Sequence, residues 1–202
     1  MSFVNFQELD SRIQKSFGSL NESLLKSFEN EFQEETRSFS EHDEYDIFLS
    51  HRYLDAVRIR ALKDKLEDDY GFSVYVDWIE DKQLSRDSIT KETAQQIRKR
   101  MSSCKSLILA FSDNSSESLW IPWEMGYFDG LKQLVSIMPI VERPTSYNDY
   151  QYIGQEYLGI YSYITEEVDT HQQKRLWIND EVPECYIAYD EWINGRKPKF
   201  RN

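Results

Sequence analysis

A carboxylate set among aromatic rings is the part of this chain best suited to chemistry. In SLWIPWEMGYFDG, residues 118–130, Glu124 stands among Trp120, Trp123, Met125, Tyr127 and Phe128. An ionised group in such company costs free energy unless something meets its charge. Either it points outward while its neighbours pack, or it faces a pocket. In a pocket with little water, a fixed carboxylate can steady a developing cation and orient hydroxyls. Side chains able to join it sit where apolar runs end: Ser50 and His51, Asp77 and Trp78, and Ser112. Trp120 lies one helical turn before the glutamate. A serine nucleophile served by His51 has no support in the spacing. His42, His51 and His171 show no metal-ligand spacing with the two cysteines, so no metal site is expected.

The elements that must position these residues alternate. YDIFLS (45–50), FSVYVD (72–77), SLILAFS (106–112), LVSIMPIV (134–141) and YLGIYSYI (157–164) read as five strands. SLILAFS is apolar on both faces, as a central parallel strand should be. Between them, Leu54, Val57, Ala61, Leu62 and Leu66 make one helical face, closed by Gly71 as a C-terminal cap. Ile89, Ala94, Ile97 and Met101 make a second. The third helix opens at the quoted stretch, with Ser118 as N-cap and Pro122 in the first turn. Strand–helix alternation with right-handed crossovers predicts a flavodoxin-like open parallel sheet, strand order 2-1-3-4-5, with helices on both faces. Such sheets bind ligands at the carboxyl ends of their strands, where the order reverses. Ser50, His51 and Ser112 fall in that crevice, and Glu124 can reach it.

Residues 1–42 read as a helical arm. Phe6, Leu9, Ile13, Phe17, Leu20, Leu24, Phe28 and Phe32 recur at steps of three and four, with Gly18 as a break. The stripe either docks on the following domain or pairs with another copy. SFSEHDE (38–44) is a polar joint to a domain at 43–165. Residues 166–202 form an extension packed on that domain, with a strand around LWI (176–178) and a helix near CYIAYDEWI (185–193).

Composition narrows the function classes. The 202 residues are 40% hydrophobic and carry a net charge of −12, which disfavours nucleic acid and anionic membranes as partners. The longest apolar runs fall far short of the roughly 20 residues that span a bilayer. Cys104 and Cys185 read as free thiols in a reducing, cytoplasmic setting, Cys104 as a core residue. The seven glycines form no phosphate loop. A phospho-acceptor domain of this topology would carry acidic residues where Ser50-His51 stand.

Three motifs in order now point to a family. YDIFLSH (45–51) resembles the opening box of Toll/interleukin-1 receptor (TIR) domains. VYVDW with its long polar loop resembles their second strand and BB loop, though EDKQLSRDS lacks the Pro-Gly of many members. Trp120 and Glu124 resemble the Trp-x-x-x-Glu element of TIR domains that hydrolyse NAD. The match spans roughly 45–164 and is most similar to bacterial stand-alone TIR proteins, a group that includes antiphage defence enzymes. The resemblance implies an NAD⁺ glycohydrolase or ADP-ribosyl cyclase with Glu124 catalytic. It implies NAD⁺ as substrate with no further cofactor, and assembly through TIR–TIR contacts. Trp120 would stack on the dinucleotide or belong to the core; Asp77, Trp78, Ser50, His51 and Ser112 would line the pocket. The leaving group is a pyridinium that departs neutral, so the second carboxylate of a glycosidase is not needed. Two other readings stay open: a non-catalytic TIR scaffold, disfavoured by the missing Pro-Gly, and a base-exchange enzyme acting on nucleosides.

Overall fold

A computed structural model describes residues 2–18, 26–28, 30–31, 34, 39, 43–51, 56–76, 91–112, 120–142, 156–180 and 185–200. Along the chain lie β1 (Val4–Asn5), α1 (Phe6–Phe17), β2 (Tyr45–Ser50), α2 (Ala56–Asp68), β3 (Val74–Val76), α3 (Lys91–Ser102) and β4 (Cys104–Phe111). They are followed by α4 (Trp120–Lys132), β5 (Val135–Val141), a 3-10 turn (Glu156–Ile160), β6 (Ser162–Val168), β7 (Lys174–Asn179), β8 (Cys185–Ala188), α5 (Tyr189–Ile193) and β9 (Lys199–Phe200).

The sheet runs β3-β2-β4-β5-β6-β7-β8-β9, with β1 beside β5. Its first five members are parallel and stand in the expected order. Side-chain alternation sets the layers. Ile47, Leu49, Ile108 and Ala110 join Ile59, Leu62 and Leu66 of α2 on one face. Phe48, Leu107, Leu109 and Phe111 join Ile97 and Met101 of α3 and Ile121, Met125 and Phe128 of α4 on the other. Gly71 caps α2 as expected: its φ is 74° and its N–H reaches the Glu67 carbonyl at 3.0 Å. Cys104 opens β4, buried, with its thiol on the Arg100 carbonyl.

The sequence expectation is corrected in three places. Beyond β6 the sheet turns antiparallel through β7, β8 and β9. Only a short turn separates β6 from β7, and a parallel crossover needs a dozen residues or more. The Asp169 carboxylate holds that turn by accepting from the His171 and Gln173 amides. YLGIYSYI is not one strand: its first part is the 3-10 turn, and pairing with β5 starts at Ser162. CYIAYDEWI is not one helix: Cys185–Ala188 pair with β7, and the helix begins at Tyr189, with Asp190 and Glu191 in its first turn.

The stripe at the start of the chain is buried within the same molecule. Phe3, Val4, Leu9, Ile13 and Phe28 are at most 3% exposed, and Phe6 and Phe17 pack against the core. Gly18 ends α1 at a φ of 76°, and Phe28 returns edge-on to Phe17 at 4.8 Å. β1 pairs with the last residues of β5, Val4 with Ile140 and Asn5 with Val141. Ser2 exchanges backbone hydrogen bonds with Glu166 of β6. Leu20, Leu24 and Phe32 lie outside the described residues.

Lys65 of α2, 1% exposed, ties this segment down. Its ammonium meets Glu8 of α1 at 2.6 Å and Glu166 of β6 at 2.9 Å, while the Tyr70 hydroxyl donates to Glu166. Burial alone would lower the Lys65 pKa, but Glu166 and Glu8 outweigh it and hold it above its usual value. A raised lysine pKa stabilises the fold at every pH below the usual lysine value and is lost only in strong alkali. Removing the ammonium takes their shared cation from Glu8 and Glu166, and from Asp69, which stands 3.6 Å from it. Lys65→Ala is therefore expected to cost about 3 kcal/mol, a fall in melting midpoint of roughly 10 °C at neutral pH. A calorimetric midpoint within about 2 °C of the parent would show that the cluster adds nothing.

Candidate active site

Glu124 faces inward. The buried positions of α4 are Ile121, Glu124, Met125 and Phe128, a stripe at steps of three, one and three that packs on the sheet. The glutamate occupies one apolar-stripe position and is 2% exposed. Outward orientation is excluded. A buried carboxylate needs donors, and β2 supplies one. Ser50 is the last residue of β2 and by alternation shares the face of Phe48, the face that α4 covers. Its Oγ donates to Glu124 Oε2 at 2.5 Å, and Ser50 itself is 2% exposed. The serine expected to line a pocket has its hydroxyl on the glutamate.

The rest of the expected set divides. His51 follows β2 directly and is half-buried, and Ser112 follows β4 and is buried, so both stand at the carboxyl ends of neighbouring strands. Trp120 is half-buried at the start of α4 and meets Trp123 edge-on at 5.2 Å. Trp123 stacks on Tyr127 at 5.8 Å, and the Arg98 guanidinium of α3 lies 5.4 and 5.6 Å from those two rings. Trp123 is thus a half-buried member of an aromatic ladder against α3. Arg98 escaped the sequence reading because nothing local shows α3 lying beside α4. Asp77, Trp78, the polar loop at 78–88 and Ser118 lie outside the described residues.

The described helix starts at Trp120, which puts Glu124 beyond its first turn. Macrodipole stabilisation fades within that turn. Support for a charged Glu124 from the helix end is therefore small.

The amino ends of the same strands are fixed from the opposite side of the molecule. Ser106 Oγ donates to the Asp46 carbonyl at 2.6 Å and meets the Tyr189 hydroxyl at 2.7 Å. β2 and β4 are thereby joined below the site, through five register pairs and this side-chain bridge. Rigid strands of this kind hold a side chain more tightly than a loop does. Among the described residues, no three His, Cys, Asp or Glu side chains gather where a metal ion could bind, and no helix is long and apolar enough to cross a membrane.

Comparison with known proteins bears on this arrangement. Residues 48–142 match the family model described as "Thoeris protein ThsB, TIR-like domain". The chain is 46% identical over 182 residues to a protein of Bacillus cereus (strain MSX-D12) named "Probable 3' cyclic ADP-D-ribose synthase ThsB'", covering 90% of each. It is 33% identical over 84 residues to "Putative cyclic ADP-D-ribose synthase TIR2" of Cytobacillus dafuensis, 41% of this chain and 22% of that one.

Proposed function

This chain belongs to the ThsB family of TIR-domain Thoeris proteins, and on that premise we propose that it consumes NAD⁺ and makes a cyclic ADP-ribose-type signal in antiphage defence. The observation that carries the reading is Glu124, an acid buried where the parallel strands end and held by a strand-end hydroxyl. The names of the relatives support the product class, and the resemblance to NAD-hydrolysing TIR domains supports the substrate.

The bond from the ribose C1′ to nicotinamide breaks with its electron pair leaving on the pyridine nitrogen. The leaving group becomes neutral, so no acid has to protonate it. The sugar is left as an oxocarbenium-like cation, which the ionised Glu124 stabilises. Water capturing that carbon gives ADP-ribose and a proton. A hydroxyl of the same molecule capturing it gives a ring and a proton, lighter than ADP-ribose by one water. A site with little water favours the second outcome. The reaction calls for no cofactor besides the substrate. His51, Ser112 and Trp120 are assigned to the path of the dinucleotide, and copies of the chain are expected to assemble around the reaction.

Incubation of the pure protein with NAD⁺ tests the reading. Nicotinamide should appear with an equimolar amount of a cyclic product, identified by mass spectrometry as one water lighter than ADP-ribose. Intact NAD⁺ after prolonged incubation at high protein concentration would leave a scaffold instead.

A further inference from the structure

The sequence assigns Ser50 to the substrate; its surroundings assign it elsewhere. The hydroxyl is 2% exposed, sits on the last residue of a strand, and is already engaged with Glu124 Oε2 at 2.5 Å. Its backbone pairs in register with Leu109 of β4, so the donor is anchored to a buried neighbouring strand. Glu124 sits on a different element, α4, and reaches the same point from above the face that carries Phe48 and Leu109. One covalently distant contact, 74 residues apart, therefore sets the carboxylate against the strand ends.

We propose that Ser50 is a positioning residue that holds the Glu124 carboxylate in its working orientation and favours its ionised form. The proposal rests on Glu124 being the reacting acid. A carboxyl with rotatable χ angles in a buried site loses orientation when a fixed donor is removed, and small misplacements of a reacting group are costly. A donor to the charged form also lowers a carboxyl pKa, so its removal raises it. With Glu124 past the first turn of α4, the helix end contributes little to that stabilisation.

The test compares Ser50→Ala, Ser50→Thr and Glu124→Gln, each read for kcat, KM for NAD⁺, pH dependence and melting midpoint. Ser50→Ala should lower kcat roughly tenfold to a hundredfold, the loss expected for one hydrogen bond to a charged group, with KM nearly unchanged. The acid limb of its kcat profile should move to higher pH, because a donor to the charged form has been removed. Ser50→Thr keeps the hydroxyl and should recover most of the rate. A purely structural serine would change the midpoint and leave the acid limb where it was, which overturns the proposal. A raised KM at unchanged kcat overturns it too, since that is the mark of direct substrate contact. If Ser50→Ala matches the parent while Glu124→Gln is inactive, the positioning role falls and the assignment of Glu124 stands. If Glu124→Gln is itself active, both fall.

Discussion

Glu124→Gln is expected to cut nicotinamide release from NAD⁺ by roughly a hundredfold to a thousandfold, the range seen when one electrostatic stabiliser is removed from an active site. The same variant should melt at or above the temperature of the parent. These opposite signs follow from where the side chain is. Glu124 takes a place in the α4 stripe between Ile121 and Phe128 that a neutral group would fill at less cost. The amide has the same shape, and it can still accept from Ser50 through its oxygen. The contact with Ser50 is therefore kept, while the negative charge facing the ribose cation is gone. A residue that weakens the fold and supports turnover marks a functional site. The measurement is paired: steady-state nicotinamide release, and a thermal midpoint on the same preparation. Full turnover by a well-folded variant would remove Glu124 from the reaction. A lost fold at normal expression would instead make the glutamate a structural group, with its charge needed by partners around it.

The five parallel strands and the buried faces of α2 and α3 were legible in the sequence for the same reason. Period-two and period-three-and-four patterns survive wherever burial is strong, as in SLILAFS and in the spacing of Ile97 and Met101. The candidate site was legible as far as the singling out of Glu124, because an acid inside an aromatic stretch violates the local pattern, and such violations gather at functional sites. What it does with its neighbours was not. Ser50 and Glu124 are 74 residues apart, and only the packing of α4 on β2 makes them partners. The ladder of Arg98 with Trp123 and Tyr127 depends likewise on two helices lying side by side. The antiparallel half of the sheet was missed where short runs are ambiguous: CYIAYDEWI carries enough apolar residues for either state, and its first four residues become strand only because β7 offers an edge. The N-terminal stripe was correctly periodic, but periodicity says that a face is buried and leaves open against what. The occupant is this chain's own core.

Deleting residues 2–17 should therefore abolish the cooperative fold rather than alter assembly alone. Phe3, Val4, Leu9 and Ile13 are together worth about 8 kcal/mol by transfer, an upper figure because unfolded chains already bury some surface. Total stabilities of such domains are of the order of 5–15 kcal/mol. The deletion also removes Glu8 from Lys65 and leaves the Ile140 and Val141 end of β5 without the strand that pairs with it. That end borders the crevice, so turnover would fail with the fold and not separately from it. The expected result is a chain without a sigmoidal thermal transition, rapidly cut by protease and inactive toward NAD⁺. A milder variant separates packing from expression failure: Leu9→Ala should retain the fold but lose about 3 kcal/mol, near 10 °C in midpoint, with unchanged KM for NAD⁺. Should the truncated chain melt cooperatively within a few degrees of the parent, the arm would be an appendage. Its buried phenylalanines and leucine would then contribute nothing to the sheet they cover.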